Sequence, residues 1–226
     1  MVSRKFGSAA VAVIAGLFMG AASSHAATIL KSGDTVAGTG WKVTFPVGIA
    51  LISDGGSNLT LEKSAAFTSL EGLDITFTQV AATATPQIVI TDESVTNVSG
   101  TPFNSFQFLL QNTLGGTTSA PTFSGGFTDV TPFTTQSLNA DKNTLTLSGG
   151  TLGDTDTAKW GFGANGGELV INASPSPDGM KVIDFKEAPG GGRPMIPVPA
   201  AAWSGLSGLL GLGFIATAKK ARKMLA

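Results

Sequence analysis

The sequence predicts an all-β domain, an antiparallel β-sandwich or jelly roll, set between an apolar segment at each end of a 226-residue chain. Three observations carry that expectation. Between Thr28 and Pro189, short runs alternate apolar and polar residues, the period of a strand with one buried face. These runs are separated by clusters of Gly, Asn, Asp, Ser and Pro, residues that tolerate turn backbone. Helical periodicity is weak, and nothing repeats strictly at about 20–50 residues, which argues against a solenoid or propeller.

In chain order, "WKVTF" (41–45) puts Trp41, Val43 and Phe45 on one face. "LEKSAAFTSLEGL" (61–73) has room for a helical turn or two. "LDITFTQV" (73–80) alternates through Leu73, Ile75 and Phe77 and resumes in the opposite phase at Val80. "QIVITD" (87–92), "NTLTLSG" (143–149), "ELVINA" (168–173) and "KVIDF" (181–185) read as strands in the same way. "NSFQFLLQNTL" (104–114) is ambiguous, and the alternation of Phe106 with Phe108 assigns it to a strand. Turn clusters such as "SDGGSN" (53–58), "SGGF" (124–127) and "SPSPDG" (174–179) punctuate the series.

The ends differ from the middle. Arg4 and Lys5 precede an uncharged stretch from Phe6 to Ala22, and "SSHAA" follows with small Ser24 and Ala26 at signal-peptidase spacing. Residues 1–26 are therefore expected to be a signal peptide, cleaved after Ala26. The exported domain is expected over 27–187, a Gly/Pro linker over 188–195 and a distinct C-terminal segment over 196–226. The stretch 27–187 holds all 15 acidic residues but only seven of the 14 basic ones, so the near-neutral chain contains a domain of net charge 7 − 15 = −8. Such a surface repels polyanions, and no nucleic-acid partner is expected. With no cysteine, the domain has neither disulfides nor thiolate chemistry to rely on.

In the C-terminal segment, Pro197 and Pro199 impose an extended backbone just ahead of an uncharged run of 19 residues, Ala200 to Ala218. As a helix that run is roughly 28 Å long, enough to cross the hydrocarbon core of a membrane. The basic cluster Lys219, Lys220, Arg222 and Lys223 follows directly and is expected to stay cytoplasmic, leaving the main domain outside the inner membrane. Trp203 falls near the expected membrane–water interface.

This layout resembles the PEP-CTERM class of sorting signals in its VPLPA-CTERM variant. The signature stands here as Ile196-Pro197-Val198-Pro199-Ala200, followed by a Trp, a Gly/Leu-rich span and a basic end. Ile196 and Val198 depart conservatively from the pattern, and the resemblance covers only about the last 30 residues. It implies an exosortase-like processing enzyme as partner, cleavage near the prolines, and delivery to the surface or exopolysaccharide matrix of a Gram-negative bacterium. It implies nothing about the exported domain's chemistry, because such tails are joined to unrelated domains.

The domain's own residues point away from catalysis. The single histidine, His25, is lost with the signal peptide, and tyrosine is absent, so the mature chain has no histidine for a triad, a metal site or a general base. Asp92 and Glu93, adjacent on a strand end, are expected to point to opposite faces as solvated turn charges. Asp154 and Asp156 sit on one side of an extended segment and form a weak candidate Ca²⁺ site, against the reading of an acidic surface turn. Of the two tryptophans in the domain, Trp41 shares a face with Val43 and Phe45. Trp160, in a Gly-rich setting, is the better candidate for stacking on a sugar, although core packing is the favoured reading for both. The function expected is a non-enzymatic structural or adhesive protein of the surface or matrix. The alternative is a carbohydrate-binding module that retains matrix polysaccharide, and the third reading is a glycan-acting hydrolase.

Overall fold

Alternation becomes burial most clearly along β5 (Leu59–Phe67). Leu59, Leu61, Lys63, Ala65 and Phe67 are buried, and the four residues between them only partly so. The stretch from Leu61 offered a helical turn, but it is strand to Phe67, because a period of two gives it one continuous buried face and a helix would scatter that face. In the computed structural model of the protein, the described residues are 27–53, 58–114, 119–162 and 166–190, and all belong to one compact unit. The signal peptide expected over 1–26 and the C-terminal segment expected over 196–226 lie outside them.

The described residues are all-β, with no helix, and form two seven-stranded sheets. The first sheet runs β1 (Thr28–Ile29), β4 (Ile49–Ser53), β5, β7 (Gln87–Asn97), β13 (Leu169–Asn172) and β9 (Thr122–Phe123), with β12 (Thr157–Trp160) also on β7. The second runs β10 (Thr135–Leu138), β11 (Thr144–Leu152), β8 (Phe103–Leu114), β14 (Val182–Gly190), β6 (Leu73–Gln79), β3 (Trp41–Thr44) and β2 (Asp34–Val36). Pairing is antiparallel except between β5 and β7. The chain leaves the first sheet after β5, runs through β6 in the second and returns as β7, and that crossover is what allows a parallel neighbour. Apolar residues of both sheets join in one core, where Phe67 of the first sheet meets Phe103 and Phe106 of the second edge-on at ring-centroid separations of 6.1 and 5.3 Å.

Two local irregularities interrupt this regular pattern. In β7 the register against β5 skips from Leu61↔Ile90 to Glu62↔Asp92, so Thr91 is an extra, bulged residue. Before the bulge Ile88 and Ile90 are buried; after it the buried series is Glu93, Val95 and Asn97. The bulge thus turns Glu93 inward, where unbroken alternation from Ile90 would have turned Asp92. Gly161, with φ +86°, lies against the Thr91 carbonyl, and a Cβ there would run into that oxygen.

The second irregularity is the length of β14. Ala188, Pro189 and Gly190 pair with Gln107, Phe106 and Ser105 of β8, so the strand continues three residues into the stretch expected as linker. Pairing with β6 ends at Glu187, which leaves Pro189 with a strand on one side only. A proline without an N–H is tolerated in that position.

Candidate functional site: a lysine and two glutamates in the core

β5 carries Lys63 on its inward face in phase with Leu61 and Ala65. Its register partner on parallel β7 is Glu93. From the other sheet, β14 turns Ile183, Phe185 and Glu187 inward, with Glu187 opposite Phe108 of β8 and Leu73 of β6. The three charged side chains meet between the sheets. Lys63 Nζ donates to Glu93 Oε1, and the same nitrogen lies 2.7 Å from Glu187 Oε2. Side-chain exposure is 0% for Lys63 and Glu93 and 1% for Glu187.

The electrostatics follow from two acids sharing one base. Burial pulls the Lys63 ammonium down, but the charges of Glu187 and Glu93 and their close polar contacts with the nitrogen outweigh it and hold the ammonium above its ordinary value. Burial drives the Glu93 carboxyl well above the carboxylate range, helped by the charge of Glu187 and opposed by Lys63. Glu187 is raised as well, by burial against the pull of Lys63. Two carboxylates beside one ammonium in an apolar core each favour the uncharged form, and their titration belongs to the pair. Glu93 Oε2 and Glu187 Oε1 have no hydrogen-bond donor, and Glu187 Oε2 has only the shared Lys63 ammonium beside it.

These shifts set a pH dependence. A carboxyl whose folded value exceeds its unfolded value stabilises the fold fully below the unfolded value, and that stabilisation is lost as pH rises through the folded one. The melting temperature is therefore expected to fall as pH climbs upward from the ordinary carboxylate range, and Glu93→Gln should flatten the decline. The lowered carboxyls of exposed Asp129 and Asp178 act with the opposite sign and at more acidic pH, so they do not mask it. A melting temperature that rises over the same interval would contradict this assignment.

Glu93 is thus not the solvated turn charge that its place beside Asp92 suggested, although the two do face opposite ways, with Asp92 only partly buried. The signal for the site was in the sequence. Lys63 and Glu187 each occupy the apolar phase of a strand, in "LTLEKSAAF" and "VIDFKEA", where a charge is costly unless paired. Glu93 carried no such signal, because the bulge shifts its phase.

The expected site residues fall elsewhere and do not converge. Trp160, the candidate for sugar stacking, is fully buried, ringed by Phe106, Phe108, Phe127 and Phe133, and its indole N–H donates to the Thr131 carbonyl at 2.9 Å. Trp41 is fully buried too, donating to Thr85 O at 3.0 Å. Neither ring offers a face to a sugar. Asp154 and Asp156 lie in a turn rather than on an extended segment, with Thr155 between them at φ 68°. The Asp154 carboxylate accepts from the Gly100 N–H and that of Asp156 from the Gly153 N–H, at 2.9 and 3.2 Å. Among the described residues no group of three or more His, Cys, Asp or Glu is placed to hold a metal ion. An open cleft of about 240 Å³, lined by Ser124, Gln136, Leu138 and Lys142 among others, contains none of these residues. The sorting motif Ile196–Ala200 and the basic cluster Lys219, Lys220, Arg222 and Lys223 lie outside the described residues. The chain matches no family model, no curated protein and no solved structure.

Proposed function

We propose that this chain is an exported, non-enzymatic protein of the surface or exopolysaccharide matrix of a Gram-negative bacterium, delivered by exosortase-type processing of its C-terminus. The two sheets are read as the halves of a β-sandwich whose role is structural or adhesive. The observation that carries the reading is the order of parts along the chain. A cleavable apolar leader (1–26) precedes an acidic, cysteine-free β domain, and Ile196-Pro197-Val198-Pro199-Ala200, the uncharged run to Ala218 and the basic end come after it. The prolines hold an extended segment just outside the membrane, the uncharged run parks the precursor there, and the basic end stays cytoplasmic.

The chemistry of the domain is consistent with a structural role. Its one convergence of acids and base among the described residues is at most 1% exposed, so no dissolved substrate reaches it. The carbohydrate-binding alternative rested on Trp160, which is buried. Replacing Pro197 and Pro199 together by Ala is expected to leave the precursor inserted but uncut. Membrane fractionation should then find the variant retained with the inner membrane while the parent reaches the surface. Equal release of both would mean that the prolines do not direct processing.

A further inference from the structure

A lysine needs one carboxylate to be neutralised; Lys63 has two, both buried, and Glu93 Oε2 and Glu187 Oε1 lack any hydrogen-bond donor. As ions, two carboxylates around one ammonium leave a net buried charge, whose lost hydration is costly. Condensation removes the difficulty. The geometry points to a self-modification site: Lys63 Nζ forms an amide with the side-chain carboxyl of Glu187, and Glu93 is the catalytic residue that carries the protons.

The contacts assign these roles. Lys63 donates its N–H to Glu93 Oε1, so the nitrogen's proton has its exit there. The same nitrogen sits 2.7 Å from Glu187 Oε2, which brings the amine into contact with the carboxyl group it would attack. Burial favours the uncharged form of both carboxyls, and the neutral acid is the form that an amine attacks. With a proton on Glu187, the ammonium of Lys63 passes one proton to Glu93, and the freed amine attacks Cδ of Glu187. The tetrahedral adduct passes a second nitrogen proton to Glu93 as Glu93 protonates the departing hydroxyl, and water leaves as the C–O bond breaks. An ammonium, a carboxylate and a carboxylic acid thereby become an amide, a water and a neutral Glu93 acid, with protons and charge balanced. No oxidant or co-reactant is consumed. Holding amine and acid in contact inside a rigid core supplies the positional advantage that makes intramolecular acyl transfer fast, and exclusion of water opposes hydrolysis.

The link would tie β5 of the first sheet to β14 of the second, closing a ring from residue 63 to residue 187. It would constrain the unfolded chain as a disulfide does, in a protein that has no cysteine. Glu187 lies three residues before the end of β14, so tension applied from the C-terminal side would meet the link before it reached the rest of the core. Formation of the link does not depend on how the protein is delivered.

Peptide mapping tests it directly. The full chain, purified folded, is denatured and digested with chymotrypsin, and the fragments carrying Lys63 and Glu187 are sought by tandem mass spectrometry. The expected result is one joined species about 18 Da lighter than the two fragments together, one water having been lost on acyl transfer. Glu93→Gln keeps both linking groups and should give separate fragments; Lys63→Arg should do the same. Recovery of unlinked Lys63 and Glu187 fragments from the folded parent overturns the proposal without reference to any variant. A link that persists in Glu93→Gln, or that joins Lys63 to Glu93, overturns the assignment of roles.

Discussion

Trp160→Ala is expected to lower the unfolding free energy by about 3–5 kcal/mol, the usual loss when a fully buried large aromatic is truncated. The indole is the hub of the aromatic core, with centroids 5.4 Å from Phe106, 5.9 Å from Phe108, 6.0 Å from Phe127 and 6.1 Å from Phe133. Four rings lose their common neighbour, and the Thr131 carbonyl loses its donor, a further cost of about 1–3 kcal/mol if water does not replace it. Trp160→Phe should fall between, keeping a ring but not the N–H. Urea unfolding read by far-ultraviolet circular dichroism measures both. A loss under about 1 kcal/mol for Trp160→Ala would mean that the ring is exposed, and would restore the sugar-stacking reading.

Lys63→Ala is expected to cost about 3–5 kcal/mol at neutral pH, because deleting one member of a buried ionic set leaves the others uncompensated. Glu93 and Glu187 would then face each other with no cation, and each would have to take up a proton to stay buried. The deficit should shrink as pH is lowered into the carboxylate range, since protonation then costs nothing. Replacing all three residues by uncharged ones of similar size (Lys63→Met with Glu93→Gln and Glu187→Gln) should recover the part of the loss due to uncompensated charge, but not the part that a Lys63–Glu187 link supplies. Denaturant titrations of the single and triple variants at two pH values check the pattern. A deficit that grows on acidification would contradict it.

The general architecture was legible because strands with one buried face write their period into the sequence. Trp41 and Val43, Ile75 and Phe77, and Phe106 and Phe108 are each buried as their alternation predicts. Less was legible where the third dimension decides. The parallel pairing of β5 with β7 depends on a crossover through the other sheet, and no local pattern announces it. The stretch 61–73 held helix formers such as Leu, Glu, Lys and Ala, and packing overrode that propensity through Phe67. The candidate site was half legible. Lys63 and Glu187 stand in apolar phase, but the Thr91 bulge moves Glu93 from the outward series to the inward one, and a bulge leaves no mark in a single sequence. For Trp160 the favoured reading, core packing, is what the fold shows; the neighbouring glycines had kept exposure open as the second reading, and Gly161 instead serves a close approach to the Thr91 carbonyl.

Export followed by C-terminal processing leaves its mark on the intact mass and terminal peptides of the protein extracted from the cell surface. The expected chain begins near Ala27 and ends near Pro199 or Ala200, with no peptide from the uncharged run or the basic cluster beyond it. A surface protein whose C-terminus still carries Lys219 to Ala226 would contradict it.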